Sequence, residues 1–353
     1  MRTGSKVLLA IILIVALAAG GGTWYIWNGM KPLPKEERDI TVTIDQGTGT
    51  AKIASQLEAE GVIRNALIFK GYLKWSKEGA RFQAGTYAFQ AGTTFDEIIA
   101  KLNQGDVVPE EMIRFTIPEG FTIEQVADTL SKDGIVDKAE FMQLADDTAW
   151  LTDTSSMVQA IPDNDKLRHK LEGYLFPETY ELKKDSSAKD IITRMIQETE
   201  KRLTEASPSW ETDMKKQGLT LHELMTVASL IEREVVVDAE RGLVAGVIYN
   251  RVGEGMKLQI DATVQYALDK PKERLYYKDL EIDSPYNTYK IEGLPPGPIA
   301  GPSAASIEAA LHPKQSDYFY YVTKKDGTGS HLFAKTFAEH QRNIEKSKQT
   351  AGE

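Results

Sequence analysis

The chain has 353 residues, of which 41% are hydrophobic and 27% charged, an ordinary globular composition with room for two compact domains. It contains no cysteine, which excludes disulfides, thiolate nucleophiles and cysteine-ligated zinc. The net charge of −10 argues against a nucleic-acid-binding surface, and no cluster of basic and aromatic residues offsets it. We therefore expect no nucleic acid among the partners of this protein.

An uncharged segment near the start of the chain, residues 7–30, is long enough to cross a bilayer of ~30 Å. Basic residues precede it, so the positive-inside rule predicts a cytoplasmic N-terminus (1–6), a single-pass anchor (7–27) and an extracytoplasmic body. Its end carries aromatic residues typical of a membrane–water interface: Trp24, Tyr25 and Trp27. The alternative is a cleaved signal peptide, which also places the body outside the cytoplasm.

Residues 28–38 are polar and contain prolines, as expected of a short linker. A repeat follows, in which the strand and glycine turn of residues 42–47 reappear at 115–120, each copy preceding an amphipathic helix. This pattern weakly resembles LysM-type carbohydrate modules. We expect residues 39–150 to form a small LysM-like α/β domain with a duplicated β–α unit, acting either as a spacer or as a glycan-binding module.

Residues 160–348 mix helical and strand patterns, which makes the predicted fold class of the whole chain α+β. Within this domain Glu232 lies in an almost wholly apolar stretch, on a helix that Thr220 and Glu223 would begin with a capping box. Desolvation on an apolar face raises the pKa of a carboxyl group, and a protonated carboxylic acid can cleave a glycosidic bond by general-acid catalysis. The alternative is an ion pair between Glu232 and an arginine such as Arg251.

Other short clusters in this domain contain the carboxylate, amide and aromatic side chains that bind sugars. They supply these candidate substrate-binding residues: Glu172, Tyr174, Gln259, Asp261, Thr263, Tyr266, Tyr286, Asn287, Thr288 and Tyr289. Two structural alternatives are that Tyr174 belongs to the core and that Asp261 only caps a helix. The five histidines lack metal-ligand spacing, so no metal site is predicted, and the sequence has neither a nucleophile elbow nor a P-loop.

Five segments, taken in this order, resemble the YceG-like family: residues 228–234, 247–251, 258–264, 286–289 and 293–299. The resemblance covers nearly the whole chain. It implies a single-pass bacterial membrane enzyme, an endolytic murein transglycosylase that cuts nascent peptidoglycan strands. It also implies that Glu232, the first glutamate of a Glu-Arg-Glu triplet, is catalytic. The segment 247–251 adds Asn250 and Arg251 to the candidate substrate-binding residues.

The expected reaction is cleavage of the β-1,4 bond between N-acetylmuramic acid and N-acetylglucosamine, in cell-wall assembly. Glu232 would protonate the leaving oxygen and then take the proton of the muramyl C6 hydroxyl, which closes a 1,6-anhydro ring. No metal or organic cofactor is needed. The expected partners are peptidoglycan strands and the cell membrane, with peptidoglycan synthases as further candidates.

Two other functions remain open from the sequence. A muramidase-type hydrolase would need a second carboxylate, for which Asp261 and Glu234 are the candidates. On a helix Glu234 points roughly 200° away from Glu232, which argues against the pair and favours the transglycosylase. The other alternative is a non-catalytic glycan-binding scaffold of the elongation or division machinery.

Overall fold

The structure, a computed structural model, describes residues 2–34, 39–152, 155–268 and 270–350. Within these ranges helices alternate with three two-stranded antiparallel sheets, which confirms the predicted α+β class. The chain divides into two compact units, Met1–Glu110 and Glu111–Glu353.

The first unit begins with a long helix and continues with two antiparallel strands and three short helices. Its elements are α1 (Arg2–Met30), β1 (Asp39–Ile44), α2 (Thr50–Ala59), α3 (Ala66–Ser76), β2 (Gly85–Gln90) and α4 (Phe95–Gln104). Within the described residues, Ile11–Met30 form one helix long and apolar enough to cross a membrane. Residues 28–30 of the predicted linker belong to α1, and residues 35–38 lie outside the described part of the chain.

The end of α1 is bonded to the body of the first unit through Asn65. The side-chain oxygen of Asn65 accepts from the backbone N–H of Ile68 at 3.0 Å, which caps α3. Its amide nitrogen donates to the hydroxyl of Tyr25 in α1, also at 3.0 Å. Arg64 donates to the carbonyl oxygen of Lys31 at 3.1 Å. These contacts make the end of α1 part of the folded unit.

The second unit is mainly helical, with two antiparallel strand pairs. Its first elements are β3 (Met112–Thr116), α5 (Ile123–Lys132), α6 (Lys138–Asp146), α7 (Ser156–Gln159), β4 (Thr179–Lys183), α8 (Ala188–Ala206) and α9 (Trp210–Lys216). There follow α10 (Leu221–Glu234), α11 (Asp238–Gly253), α12 (Asp261–Ala267), α13 (Ala304–Leu311), β5 (Tyr320–Thr323), β6 (His331–Ala334) and α14 (Phe337–Thr350).

The two copies of the sequence repeat lie in different units. Each forms a strand, a turn with a left-handed glycine (Gly47 and Gly120) and a helix. However, β1 pairs with β2, whereas β3 pairs with β4, 63 residues further along the chain at Thr116 and Thr179. The second copy belongs to the C-terminal compact unit, Glu111–Glu353, in which β3 pairs with the distant β4.

Helix α10 lies at the centre of the second unit and packs against α11, α12 and α13. The predicted capping box is present: the Thr220 hydroxyl accepts from the Glu223 backbone N–H at 3.2 Å, and the Glu223 carboxylate accepts from the Thr220 N–H at 2.8 Å. All but one of the residues from Leu221 to Ile231 are buried, so the helix has almost no free face until its last turn. That last turn carries Glu232.

Candidate active site

Glu232 is held by donors from two other helices. Its Oε2 atom accepts from the Ser303 backbone N–H at 3.0 Å, from the Ser306 hydroxyl at 2.8 Å and from Arg241 Nη1 at 3.2 Å. The Ser303 hydroxyl donates a fourth, short hydrogen bond to the same atom. Ser303 is also the N-cap of α13, so Glu232 lies at the positive end of that helix.

The side chain of Glu232 is 8% exposed, and that of Arg241 is 9% exposed. Donors that converge on one oxygen stabilise the charged form of a carboxyl group. The sequence suggested either an apolar setting or an ion pair with an arginine such as Arg251. The structure shows an ion pair, and its arginine is Arg241 of α11.

The proline-rich segment 293–299 places Ser303. The carbonyl oxygen of Pro296 lies 2.8 Å from His222 Nε2, in the first turn of α10. The backbone N–H of Ile299 donates to the Ser229 hydroxyl at 3.1 Å, two turns further along the same helix. The segment therefore runs along α10 and brings Ser303 to Glu232. This loop is one of the five segments that carry the family resemblance, and in the structure it brings the donors of Ser303 to Glu232.

A second segment, residues 118–121, lies beside Glu232. The carbonyl oxygen of Gly120 accepts from Arg233 Nη1 at 3.0 Å. The backbone N–H of Gly120 donates to the Gly301 carbonyl at 2.9 Å, and the Gly301 N–H donates to the Phe121 carbonyl at 2.8 Å. A Cβ atom added to Gly120 would lie 3.9 Å from Glu232 Cγ. This turn is therefore fixed in contact with the end of α10.

Glu119, the residue before that glycine, is not among the candidates that the sequence indicates. Burial, followed by the negative charge of Glu232, raises the pKa of Glu119, while the positive charge of Arg241 opposes the rise. The sequence repeat held a weak signal, since Glu119 occupies the position of the neutral Gln46 in the first copy.

Asp261, Tyr289 and Glu234 form a second polar group. The Tyr289 hydroxyl donates to Asp261 Oδ1 at 2.6 Å, and the Tyr321 hydroxyl donates to Glu234 Oε2 at 2.9 Å. Burial raises the pKa of Glu234 to about 7, and the negative charge of Asp261 acts in the same direction. Asp261 is the first residue of α12, and Ile260 occupies the N-cap position before it. Gln259 lies beside this group, exposed and with a left-handed backbone at φ 52°.

Three other candidates, Thr263, Asn287 and Thr288, are fully buried and bonded within the chain. The Thr263 and Thr288 hydroxyls lie 2.9 Å apart, and the Thr288 hydroxyl accepts from the Ile260 N–H at 2.9 Å. The Asn287 amide donates to the Leu280 carbonyl at 2.9 Å. In this arrangement their side chains hold the loops together, and a role in substrate binding stays a prediction.

The aromatic and acidic candidates of the earlier cluster are also buried. The Tyr174 hydroxyl lies 2.8 Å from His222 Nδ1, within the core. Glu172 accepts from the Ile123 N–H at 3.0 Å, and burial raises its pKa to about 7. The rings of Tyr266 and Tyr286 pack together, with centroids 4.9 Å apart. The core alternative for Tyr174 therefore describes its place in the structure.

Asn250 and Arg251, near the end of α11, contact the segment before β5. The Asn250 amide donates to the carbonyl oxygens of Ser316 and Tyr318, both at 2.8 Å. Arg251 Nη1 donates to the Leu258 carbonyl at 2.7 Å. Asn250 also lines an open cleft of about 850 Å³ that includes none of the partners of Glu232 named above. Among the residues that the structure describes, no group of three or more histidine and acidic side chains is placed to hold a metal ion.

Comparison with known proteins gives consistent results. The sequence profile of the YceG-like family matches residues 42–346. The chain is 38% identical over 339 residues to an endolytic murein transglycosylase of Bacillus subtilis, covering 94% of this chain and 91% of that protein. It is 33% identical to the endolytic murein transglycosylase of Streptococcus pneumoniae D39, covering 95% of this chain and 63% of that protein.

A solved structure is similar as well. The 2.6 Å crystal structure of a YceG-like protein from Listeria monocytogenes matches with a TM-score of 0.58 and 38% sequence identity. The match covers 87% of this chain and 99% of that one. At this identity the likeness extends to both sequence and fold.

Proposed function

Because this chain belongs to the YceG-like family, we propose that it is a lytic transglycosylase that cuts peptidoglycan strands at internal bonds. The relatives named endolytic murein transglycosylase support the reaction class. The observation that carries the proposal is the setting of Glu232, a nearly buried carboxylate on a central helix that accepts four hydrogen bonds. This concentration of donors around one carboxylate supports Glu232 as the reacting group.

Glu232 has one oxygen left for the substrate. Among the described residues, all of its hydrogen bonds involve Oε2. Oε1 would protonate the oxygen between N-acetylmuramic acid and N-acetylglucosamine as the C1–O bond breaks. The resulting carboxylate, which Arg241 stabilises, would take the proton of the muramyl C6 hydroxyl while O6 bonds to C1. One carboxylate can serve in both steps because the nucleophile is part of the substrate, which also provides the advantage of proximity.

The proposed setting of this reaction is the outer face of the bacterial membrane. Helix α1 would be a single-pass anchor with a cytoplasmic N-terminus, since basic residues precede its apolar part. Nascent glycan strands and peptidoglycan synthases are the proposed partners. The first copy of the repeat, β1 and α2, would belong to a LysM-like spacer or glycan-binding module.

Hydrolysis is the second candidate reaction. It is favoured by a second carboxylate, Glu119, whose pKa is raised in part by the charge of Glu232. A muramidase needs a second carboxylate near the first, about 5–5.5 Å away for retention or 6.5–9.5 Å away for inversion. Glu119 interacts electrostatically with Glu232, whereas Glu234 bonds to Tyr321 and Asp261 bonds to Tyr289. Glu119 therefore replaces Asp261 and Glu234 as the first residue to test for this role.

The products of the reaction distinguish these functions. The purified full-length chain is incubated with sacculi in ¹⁸O-labelled water, and the fragments are analysed by mass spectrometry. A transglycosylase releases 1,6-anhydromuramyl ends without the label, and an endolytic one produces long fragments early. Reducing muramyl ends that carry ¹⁸O would establish hydrolysis. Sacculi that stay intact with the wild-type chain, but bind it, would favour a scaffold.

A further inference from the structure

Helix α3 of the first unit exposes a stripe of apolar and basic side chains. Leu67, Gly71 and Trp75 follow one another at four-residue intervals, so they lie along one face of the helix. Leu67 is 69% exposed and Trp75 is 78% exposed. Lys70 and Lys74 lie beside them and are exposed as well. Large apolar side chains grouped on an exposed surface indicate contact with a partner or a membrane. These five residues are called the α3 face below.

The α3 face is basic, although the net charge of the chain is −10. Helix α3 contains two lysines and no acidic residue, and Lys77 follows it directly. Asp96 of α4 lies near the helix, where it accepts a hydrogen bond from the Tyr72 hydroxyl at 2.6 Å. Tryptophan favours the membrane–water interface, and lysine is attracted to anionic lipid while its methylene groups contact apolar surface. The composition of the face therefore fits an anionic lipid surface.

The first turn of α3 is packed against the end of α1. The Asn65 amide donates to the Tyr25 hydroxyl at 3.0 Å. Ile68 lies so close to Gly29 that a Cβ atom added to this glycine would clash with Ile68 Cδ1. Tyr25 is one of the aromatic residues expected at the membrane–water interface. The start of α3 is thus held at the level where α1 would leave a bilayer.

We propose that the α3 face is a second membrane contact, in which Leu67 and Trp75 enter the headgroup layer and Lys70 and Lys74 pair with anionic lipid phosphates. This inference rests on the proposed function, since it requires α1 to be a membrane anchor. Lipid is the favoured occupant because the face continues from the interfacial end of α1 and carries the charge that anionic headgroups attract. The contact is weak by itself and forms because α1 keeps the face at the membrane surface. It would fix the orientation of the first unit, which a single anchoring helix leaves free to rotate.

The test is the membrane depth of a nitroxide spin label at the centre of the α3 face. The chain has no cysteine, so Gly71→Cys provides a single labelling site in the full-length protein. Ser55→Cys, at an exposed position of α2, is the matched control, and Leu17→Cys reports on the apolar part of α1. Each labelled chain is placed alone in a lipid nanodisc, made either of phosphatidylcholine or of equal parts of phosphatidylcholine and phosphatidylglycerol. Electron paramagnetic resonance then measures how accessible the label is to oxygen, which concentrates in lipid, and to a water-soluble nickel chelate.

The label at position 71 should be accessible to oxygen and protected from nickel, whereas the label at position 55 should show the reverse. Lys70→Gln removes one attracted charge and should lower the ratio of docked to undocked chains about fivefold in discs with phosphatidylglycerol. Lys52→Gln makes the same change at an exposed position of α2 and should leave that ratio unaltered. In phosphatidylcholine alone the two lysine variants should behave alike, because the lipid surface carries no net charge.

Nickel accessibility at position 71 equal to that at position 55 would overturn the inference, and a lipid-protected label at position 17 would leave the anchor standing. Labels in water at both 17 and 71 would refute the anchor together with the inference. A response at position 71 to added glycan strands but not to lipid would assign the face to glycan. Spin–spin broadening between two chains in one disc, without lipid contact, would assign it to a second copy. Sacculus cleavage is measured separately, so an inactive wild-type chain would refute the proposed reaction while the label depth still decides the role of α3.

Discussion

Arg241 and Glu232 form an ion pair, with Nη1 3.2 Å from Oε2, across the connection between α10 and α11. Nine positions separate them, and the valine run 235–237 between the helices brings them face to face. Both side chains are nearly buried, so each compensates the other's charge away from bulk water. Stability and the proposed chemistry therefore depend on the same contact.

The first prediction concerns Glu232. Glu232→Gln keeps the shape of the side chain but removes its titrating proton, so sacculus cleavage should fall by roughly 10²–10⁴-fold or more. Release of soluble muropeptides measures the effect. Glu223→Gln makes the same chemical change in the first turn of the same helix, where glutamine also completes a capping box, and should keep activity. Wild-type turnover in Glu232→Gln would remove this residue from the mechanism.

The second prediction uses the ion pair. Arg241→Gln leaves Glu232 buried without its cation, which should lower the free energy of unfolding by about 3–5 kcal/mol. Urea unfolding of both single variants and of the double variant measures the coupling between them. The double variant should recover part of the loss, because no unpaired charge remains. Strictly additive losses would show that the two groups do not interact.

The third prediction concerns pH and Glu172. Burial raises the pKa of Glu172 from 4.5 to about 7, so the folded chain binds this proton more tightly than the unfolded chain. Its stabilising contribution is complete below pH 4.5 and is lost as the pH rises through 7, a change on the order of 3 kcal/mol. Glu234 should act in the same direction, since burial raises its pKa to about 7 as well.

Glu172→Gln should therefore remove about half of the fall in stability between pH 5 and pH 8, and Glu308→Gln, which changes an exposed carboxylate of α13, none of it. The glutamine amide oxygen can still accept from the Ile123 N–H, so the local fold is preserved. Urea midpoints at both pH values provide the comparison. A slope equal to that of the wild type would mean that Glu172 is already ionised when folded.

The fourth prediction concerns α1. If α1 is a retained anchor, the protein purified from bacterial membranes should begin at the start of the chain and resist carbonate extraction. N-terminal sequencing and extraction of the membrane fraction provide the measurement. A matched chain without residues 2–30 should appear in the soluble fraction. A mature protein that begins near residue 20 would establish the signal-peptide alternative.

Local features of this fold are readable from the sequence. The capping box of Thr220 and Glu223 requires only residues three positions apart, so the start of α10 could be predicted. Each repeat likewise forms its strand, left-handed glycine and helix, because these depend on neighbours in sequence. The pairing of β3 with β4 could not be found this way, since its two strands lie far apart in sequence.

The candidate site was predictable only in part, because its contacts join residues that are distant in sequence. Glu232 stands out because an acid is rare in an apolar helix, but its partners come from residues 241, 303 and 306, whose approach depends on tertiary packing. Glu119 is inconspicuous as sequence and becomes relevant through its neighbours in space. Conversely, Thr263 and Thr288 have hydroxyl groups of the kind that bind sugars, but in the structure these hydroxyls are hydrogen-bonded to each other.

Asn65 connects the body of the first unit directly to α1. A flexible linker lets a domain move over a distance that grows with the square root of the linker's length. Here Asn65, which caps α3, also donates a hydrogen bond to Tyr25 of α1. The body of the first unit is therefore bonded to residues that are still within the helix. If α1 lies in a bilayer as proposed, this rigid connection would keep the body of the first unit at a constant distance from the lipid surface.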